Sequence, residues 1–180
     1  MLTLITGGTR SGKSTFAQSL CKEGASVVYI ATAFAGDDEM RERIARHRNS
    51  RPICWQTVEE PLAVPDVVRA HASGSDFILI DCLTLWLSNL LFEWRDSDPA
   101  TVERSACEQA RELTEASTQG RVIAVTNEVG SGIVPESSVA RQFRDIQGLI
   151  NQQIARAADA VYLLTCGIPI QIKPHAGGRL

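Results

Sequence analysis

Eight residues near the amino terminus, Gly7-Gly8-Thr9-Arg10-Ser11-Gly12-Lys13-Ser14, have the types and spacing of a phosphate loop, G-x-x-x-x-G-K-[ST]. Glycines let the backbone wrap so that successive N–H groups face phosphate oxygens, and a following helix adds the partial positive charge of its N-terminus. In such a loop the lysine, here Lys13, reaches the β- and γ-phosphates, and the Ser14 hydroxyl serves Mg2+. A second stretch suits the same chemistry. Phe77-Ile78-Leu79-Ile80-Asp81 is an apolar run ending in a carboxylate, the pattern of a strand that holds Asp81 against Mg2+. A solvated strand-end aspartate gives the same pattern, so the residues alone leave both readings open.

Arginine is concentrated elsewhere. Arg41, Arg43, Arg46, Arg48 and Arg51 surround His47 within eleven residues, and guanidinium forks bind phosphate bidentately. At helical spacing Met40, Ile44 and His47 share a face, which turns the histidine towards the body of the protein. That placement suits a partly buried core histidine beside a solvated basic face. It also suits a histidine nucleophile, because neighbouring cations disfavour imidazolium and keep the ring neutral. The run Thr126-Asn127-Glu128-Val129-Gly130-Ser131-Gly132 directly follows an apolar strand. Ligands of open α/β sheets gather at such strand ends, so this run is either a substrate or nucleotide loop or a plain connector. His71 and His175 have no such company and read as structural or surface residues, and no zinc-ligand spacing occurs.

The elements that must position these residues alternate between strand and helix. Strands are expected at Leu2–Thr6, Ser26–Ala31, Ile53–Val58, Phe77–Ile80, Arg121–Thr126, Ala160–Thr165 and Pro169–Lys173. Helices are expected from the phosphate loop to about Cys21, and over Asp37–Arg48, Pro65–Ala72, Leu83–Phe92, Ala100–Ser117 and Ser137–Ala158. The last carries Val139, Phe143, Ile146, Ile150 and Ile154 on one stripe. His175 to Leu180 reads as a frayed tail. Alternation implies an α/β layered domain with parallel pairing. The three-residue link Cys166-Gly167-Ile168 forces an antiparallel closing hairpin, so the sheet is expected to be mixed. No repeat, low-complexity tract or linker interrupts residues 1–180, which read as one domain.

Composition narrows the function classes. The chain has 180 residues, 44% of them hydrophobic and 22% charged, enough for a full core without staples. A net charge of −3 argues against a general nucleic-acid binder. No apolar run reaches a membrane span, since Asp81, Thr84, Ser88 and Asn89 interrupt Phe77–Phe92. The first residues do not read as a signal peptide. Cys21, Cys54, Cys82, Cys107 and Cys166 are scattered and odd in number, which suits reduced thiols acting as small buried hydrophobes in a cytoplasm.

Taken in order, these motifs resemble one family, the bifunctional adenosylcobinamide kinase/adenosylcobinamide-phosphate guanylyltransferases of cobalamin biosynthesis. The resemblance runs from Ile5–Ser14 through Tyr29-Ile30-Ala31-Thr32-Ala33, Asp37-Asp38-Glu39-Met40, Arg43-Ile44 with His47, and Arg51-Pro52 with Trp55. It continues through Asp81-Cys82-Leu83-Thr84, Asn89-Leu90-Leu91-Phe92, Thr126–Gly130, Gly132-Ile133-Val134-Pro135-Glu136, Arg141–Asp145 and Asn151-Gln152. The phosphate loop is widely shared, whereas the histidine-bearing segment and the Asn-Glu-Val-Gly-x-Gly-Ile-Val-Pro run are far more specific.

The resemblance implies a RecA-like phosphate-loop fold and two reactions. ATP or GTP phosphorylates the aminopropanol hydroxyl of adenosylcobinamide. GTP then guanylylates a histidine, at the position of His47, and the GMP passes to adenosylcobinamide phosphate. It also implies nucleotide contacts at Thr32, Ala33, Arg48, Asn49, Ser50, Arg51 and Glu59, Asp81 in the site, and a homotrimer with sites near subunit boundaries. Two other readings compete. One is a plain small-molecule kinase in which His47 is structural. The other is a nucleotide-binding switch, although the chain has no Asn-Lys-x-Asp guanine motif.

Overall fold

The computed structural model describes residues 1–34 and 52–174. The expected helix Asp37–Arg48, the arginine-rich segment with His47, Arg48, Asn49, Ser50 and Arg51, and the tail from His175 lie outside the described residues.

Seven strands are described: β1 Leu2–Gly7, β2 Val27–Ala31, β3 Gln56–Glu59, β4 Phe77–Asp81, β5 Val122–Val125, β6 Ala160–Thr165 and β7 Ile168–Lys173. They form one sheet in the order β3-β2-β4-β5-β1-β6-β7. Every neighbouring pair is parallel except β6 with β7, which is the expected antiparallel hairpin. The helices are α1 Lys13–Ser19, α2 Val64–His71, α3 Leu83–Glu93, α4 Pro99–Ala116 and α5 Ser138–Ala157. Among the described residues no helix is long and apolar enough to cross a membrane.

The sheet is covered on both faces, which is why its strands are almost continuously apolar. Period-2 alternation divides the side chains between two cores. Leu4, Ile30, Ile78, Ile80, Val122 and Ala124 face Val68 of α2, Trp86 of α3, Leu113 of α4 and Ile146, Ile150 and Ile154 of α5. Ile5, Tyr29, Leu79, Ile123 and Val125 face Ala17 and Phe16 of α1, with Trp55 packed alongside.

Three expectations need correction. The strand expected at Ile53–Val58 begins only at Gln56. Pro52 opens a turn that Trp55 closes by donating its N–H to the Pro52 carbonyl at 3.1 Å, so the strand-like Ile53 stands wholly exposed. The stripe on α5 is buried only from Ile146 onward, and Val139 is 71% exposed in the helix's first turn. The cysteines are unpaired as expected, but Cys54 and Cys166 are exposed rather than buried, because both sit in turns.

Candidate functional site

Register aligns the ends of the parallel strands. Glu59, Ala31, Asp81, Val125 and Ile5 stand side by side across β3, β2, β4, β5 and β1. With strands about 4.8 Å apart, Asp81 lies about 10 Å and Glu59 about 19 Å along the rim from β1. Residues beyond this row form one polar edge: the phosphate loop after β1, Thr32 and Ala33 after β2, and Thr126, Asn127 and Glu128 after β5. Because β5 lies between β1 and β4, its end is wedged between the loop and Asp81.

The loop from Gly7 to Ser14 is held in a conformation that needs glycine twice. Gly7 has φ +147°, and a Cβ there would stand 2.4 Å from the Leu164 carbonyl oxygen. Gly12 has φ +94°, with the Gly167 Cα 3.3 Å from where a Cβ would lie. Both neighbours belong to the β6–β7 hairpin. The Gly167 N–H donates to the Ser11 carbonyl at 3.0 Å, and Phe16 packs edge-on against Tyr162 with centroids 5.1 Å apart. The closing hairpin therefore braces the phosphate loop from behind. Arg10 also has positive φ, 57°.

Lys13 opens α1, is only 7% exposed, and donates to the Gly8 carbonyl at 2.5 Å and the Ser11 hydroxyl at 3.4 Å. Burial pushes its ammonium below the ordinary lysine range, and the negative charge of Asp81 partly offsets this. A buried cation beside a wrapped backbone attracts anions. Asp81 accepts from the Tyr29 hydroxyl at 2.6 Å, which orients its carboxylate at the rim. Thr32 is fully buried, and its hydroxyl both accepts from the Cys82 N–H at 2.8 Å and donates to the Cys82 carbonyl at 2.7 Å. Asn89 of α3 donates to the Thr32 carbonyl at 2.7 Å. Thr32 thus clamps β2 to β4, and Ala33, half-buried, follows it.

The Thr126–Gly132 run was a candidate loop from its sequence, but the contacts that fix its start were not foreseen. Thr6 donates to Glu128 Oε1 at 2.7 Å, and the Glu128 N–H donates to the Gly7 carbonyl at 3.2 Å. A buried network lies behind them. Asn151 Oδ1 accepts from Thr126 at 2.8 Å and from Gln147 at 2.9 Å, while Asn151 Nδ2 donates to the Asn127 carbonyl at 3.1 Å. The available signal was Gln147 and Asn151, four apart, beside the buried isoleucines of α5, since polar residues on an inward face need partners.

The donor set fits Mg2+. Ser14 is half-buried at the start of α1, and the Asp81 carboxylate lies on the same rim. Among the described residues no cluster of three His, Cys, Asp or Glu could hold a metal alone. Oxygen donors without a closed cage suit an ion that keeps waters and takes ligands from substrate phosphates. Nucleophilic sulfur does not suit the site. The Cys82 thiol beside Asp81 is buried and pushed up to about 11, chiefly by desolvation, so it stays protonated at neutral pH. His71, in the last turn of α2, lies at the opposite edge of the sheet, where Asp76 accepts from Ser26 before β2 begins.

A family profile described as cobinamide kinase / cobinamide phosphate guanyltransferase matches residues 3–172. The chain is 44% identical over 181 residues to the "Bifunctional adenosylcobalamin biosynthesis protein CobU" of Escherichia coli K12, covering 96% of this chain and 100% of that one. It is 45% identical over 177 residues to the "Bifunctional adenosylcobalamin biosynthesis protein CobP" of Pseudomonas aeruginosa, covering 96% of this chain and 98% of that one. In fold it is similar to a prototypical ATPase from the type III secretion system of pathogenic bacteria, with a TM-score of 0.53 at 16% identity. That match covers 91% of this chain and 51% of the ATPase, and it bears on the fold alone.

Proposed function

The chain belongs to the cobinamide kinase / cobinamide phosphate guanyltransferase family, and from that premise we propose that one triphosphate site, at the C-terminal rim of its sheet, serves both reactions of a cytoplasmic enzyme of cobalamin biosynthesis. The observation that carries this reading is the rim itself, where the phosphate loop, Lys13, Asp81 and the Thr126–Glu128 run come together.

In the first reaction Gly7, Gly8, Thr9, Arg10, Ser11 and Gly12 present backbone N–H groups to the triphosphate of ATP or GTP, and Lys13 neutralises its β- and γ-oxygens. Ser14 and Asp81 would hold Mg2+, which supplies further charge neutralisation on the phosphates when bound. The aminopropanol hydroxyl of adenosylcobinamide takes the γ-phosphoryl group. In the second reaction the His47 imidazole attacks the α-phosphorus of GTP, and the bond to the bridging oxygen breaks so that pyrophosphate leaves. The phosphate of adenosylcobinamide phosphate then attacks the phosphoramidate, releasing His47 and forming adenosylcobinamide-GDP. Thr32, Ala33 and Glu59 border the nucleotide on the β2–β3 side, and Arg48, Asn49, Ser50 and Arg51 contact it from the His47 segment. The protonated Cys82 and the remote His71 support a nucleophile drawn from outside the described residues. A homotrimer belongs to the same reading, and the exposed Ile168, Ile170 and Ile172 of edge strand β7 are apolar surface that an assembly would cover.

Incubation with α-labelled GTP and Mg2+ tests the covalent step. A phosphoramidate loses its label in acid and keeps it in alkali. Wild-type protein is expected to show that pattern and His47→Ala to carry no label. Label on His47→Ala would place the nucleophile elsewhere.

A further inference from the structure

We propose that Glu128 is the general base of the kinase step, accepting the proton of the substrate hydroxyl as that oxygen attacks the γ-phosphorus; the inference rests on the kinase reading above.

Four carboxylates occupy the described rim, and their hydrogen bonds divide the work. Glu60 accepts from the Leu62 and Ala63 N–H groups, both at 2.8 Å, and so is committed to the start of α2. Glu59 stands four strands from β1. Asp81 stands two strands from β1 and is turned by Tyr29. Glu128 follows the strand directly beside β1, with Thr6 on Oε1 and Gly7 on its N–H. The residue is exposed and Thr6 occupies only Oε1, so the second oxygen is open to a ligand beside the loop.

The segment is also held rigidly. The Thr126 N–H donates to the Ile5 carbonyl at 2.9 Å, the Asn127 N–H to the Thr84 hydroxyl at 2.9 Å, and the Asn127 carbonyl accepts from Asn151 at 3.1 Å. With the Glu128 N–H on Gly7, successive backbone groups are tied to β1, α3 and α5. Groups anchored on rigid elements keep the sub-ångström placement that proton transfer requires.

The step balances. The substrate O–H bond breaks and its proton goes to Glu128. The oxygen's electron pair forms the bond to the γ-phosphorus. The bond from that phosphorus to the β,γ-bridging oxygen breaks, and its pair leaves with the nucleoside diphosphate. Guanylyl transfer makes no such demand, because a neutral imidazole and a phosphate both attack through an existing lone pair. Glu128 should therefore matter to one reaction and not to the other.

Glu128→Gln tests this, since the amide oxygen still accepts from Thr6 but the side chain takes no proton. Kinase kcat is expected to fall about 10²–10⁴-fold, far more than the rate of GMP labelling, with the magnesium requirement unmoved. Glu128→Asp should recover part of the turnover. Retained labelling in the same sample shows that the variant is folded. Kinase turnover within about tenfold of wild type, below the smallest effect expected of a lost base, would overturn the proposal. So would an equal fall in both reactions, or a shift in magnesium dependence. Failure of the underlying reading would show instead in the wild type, as no phosphorylated cobinamide.

Discussion

Asn151→Ala probes how the buried face of α5 supports the site. Asn151 makes three hydrogen bonds, at 2.8, 2.9 and 3.1 Å, to Thr126, Gln147 and the Asn127 carbonyl. Thr126 and Gln147 are fully buried, so water cannot replace the lost partner. Gln147 Oε1 already has no partner among the described residues, which leaves the network little slack. At about 0.5–1.5 kcal/mol net for each bond, the loss is about 1.5–4.5 kcal/mol, centred near 3. For a chain of this size that lowers Tm by about 6–12 °C, at about 2–4 °C per kcal/mol. Urea unfolding followed by circular dichroism measures the free energy. Kinase turnover should fall more than GMP labelling, because Asn127 leads directly into Glu128. Asn151→Asp retains the acceptor for Thr126 and Gln147 but sets an oxygen against the Asn127 carbonyl, so it should not restore stability. A change under about 0.5 kcal/mol, the range of an ordinary surface substitution, together with unchanged kinase activity, would refute the reasoning.

Lys13→Met should lose both reactions yet unfold at no lower urea concentration than wild type. The lowered lysine pKa means that the unfolded chain binds the proton more tightly, so wild-type stability from this group rises with pH up to the ordinary lysine range, and the variant lacks that rise. Urea midpoints at neutral and alkaline pH check the sign. Asp81→Asn should move the magnesium requirement of the kinase to higher concentration, read from a magnesium titration at saturating nucleotide. Gly7→Ala places a methyl 2.4 Å from the Leu164 carbonyl at φ +147°. It should destabilise by about 2–5 kcal/mol from strain and overpacking together, measured by urea unfolding, and weaken nucleotide binding.

Local chemistry made much of the site legible in the sequence. The phosphate loop is a contiguous motif whose glycines answer to backbone geometry, and the apolar run ending at Asp81 forms a strand as its residues dictate. The antiparallel hairpin followed from a link too short for any crossover. What could not be read was set by distance in the chain. The bracing of Gly7 and Gly12 by Leu164 and Gly167 spans about 155 residues and depends on β6 lying beside β1. Likewise Glu128 meets Thr6 only because β5 is inserted between β1 and β4. Ile53 misled because β-branched character outweighed the turn that Pro52 opens. Val139 misled because periodicity marks a face of a helix without saying where the core beneath it begins.

The intact mass of the protein after incubation with GTP and Mg2+, before and after addition of adenosylcobinamide phosphate, tests most directly that one chain both activates and transfers the nucleotide. Wild-type protein should gain one GMP and lose it on addition of the acceptor, while His47→Ala gains none and still phosphorylates adenosylcobinamide. An unmodified wild-type mass in a preparation that forms adenosylcobinamide-GDP would contradict the covalent route.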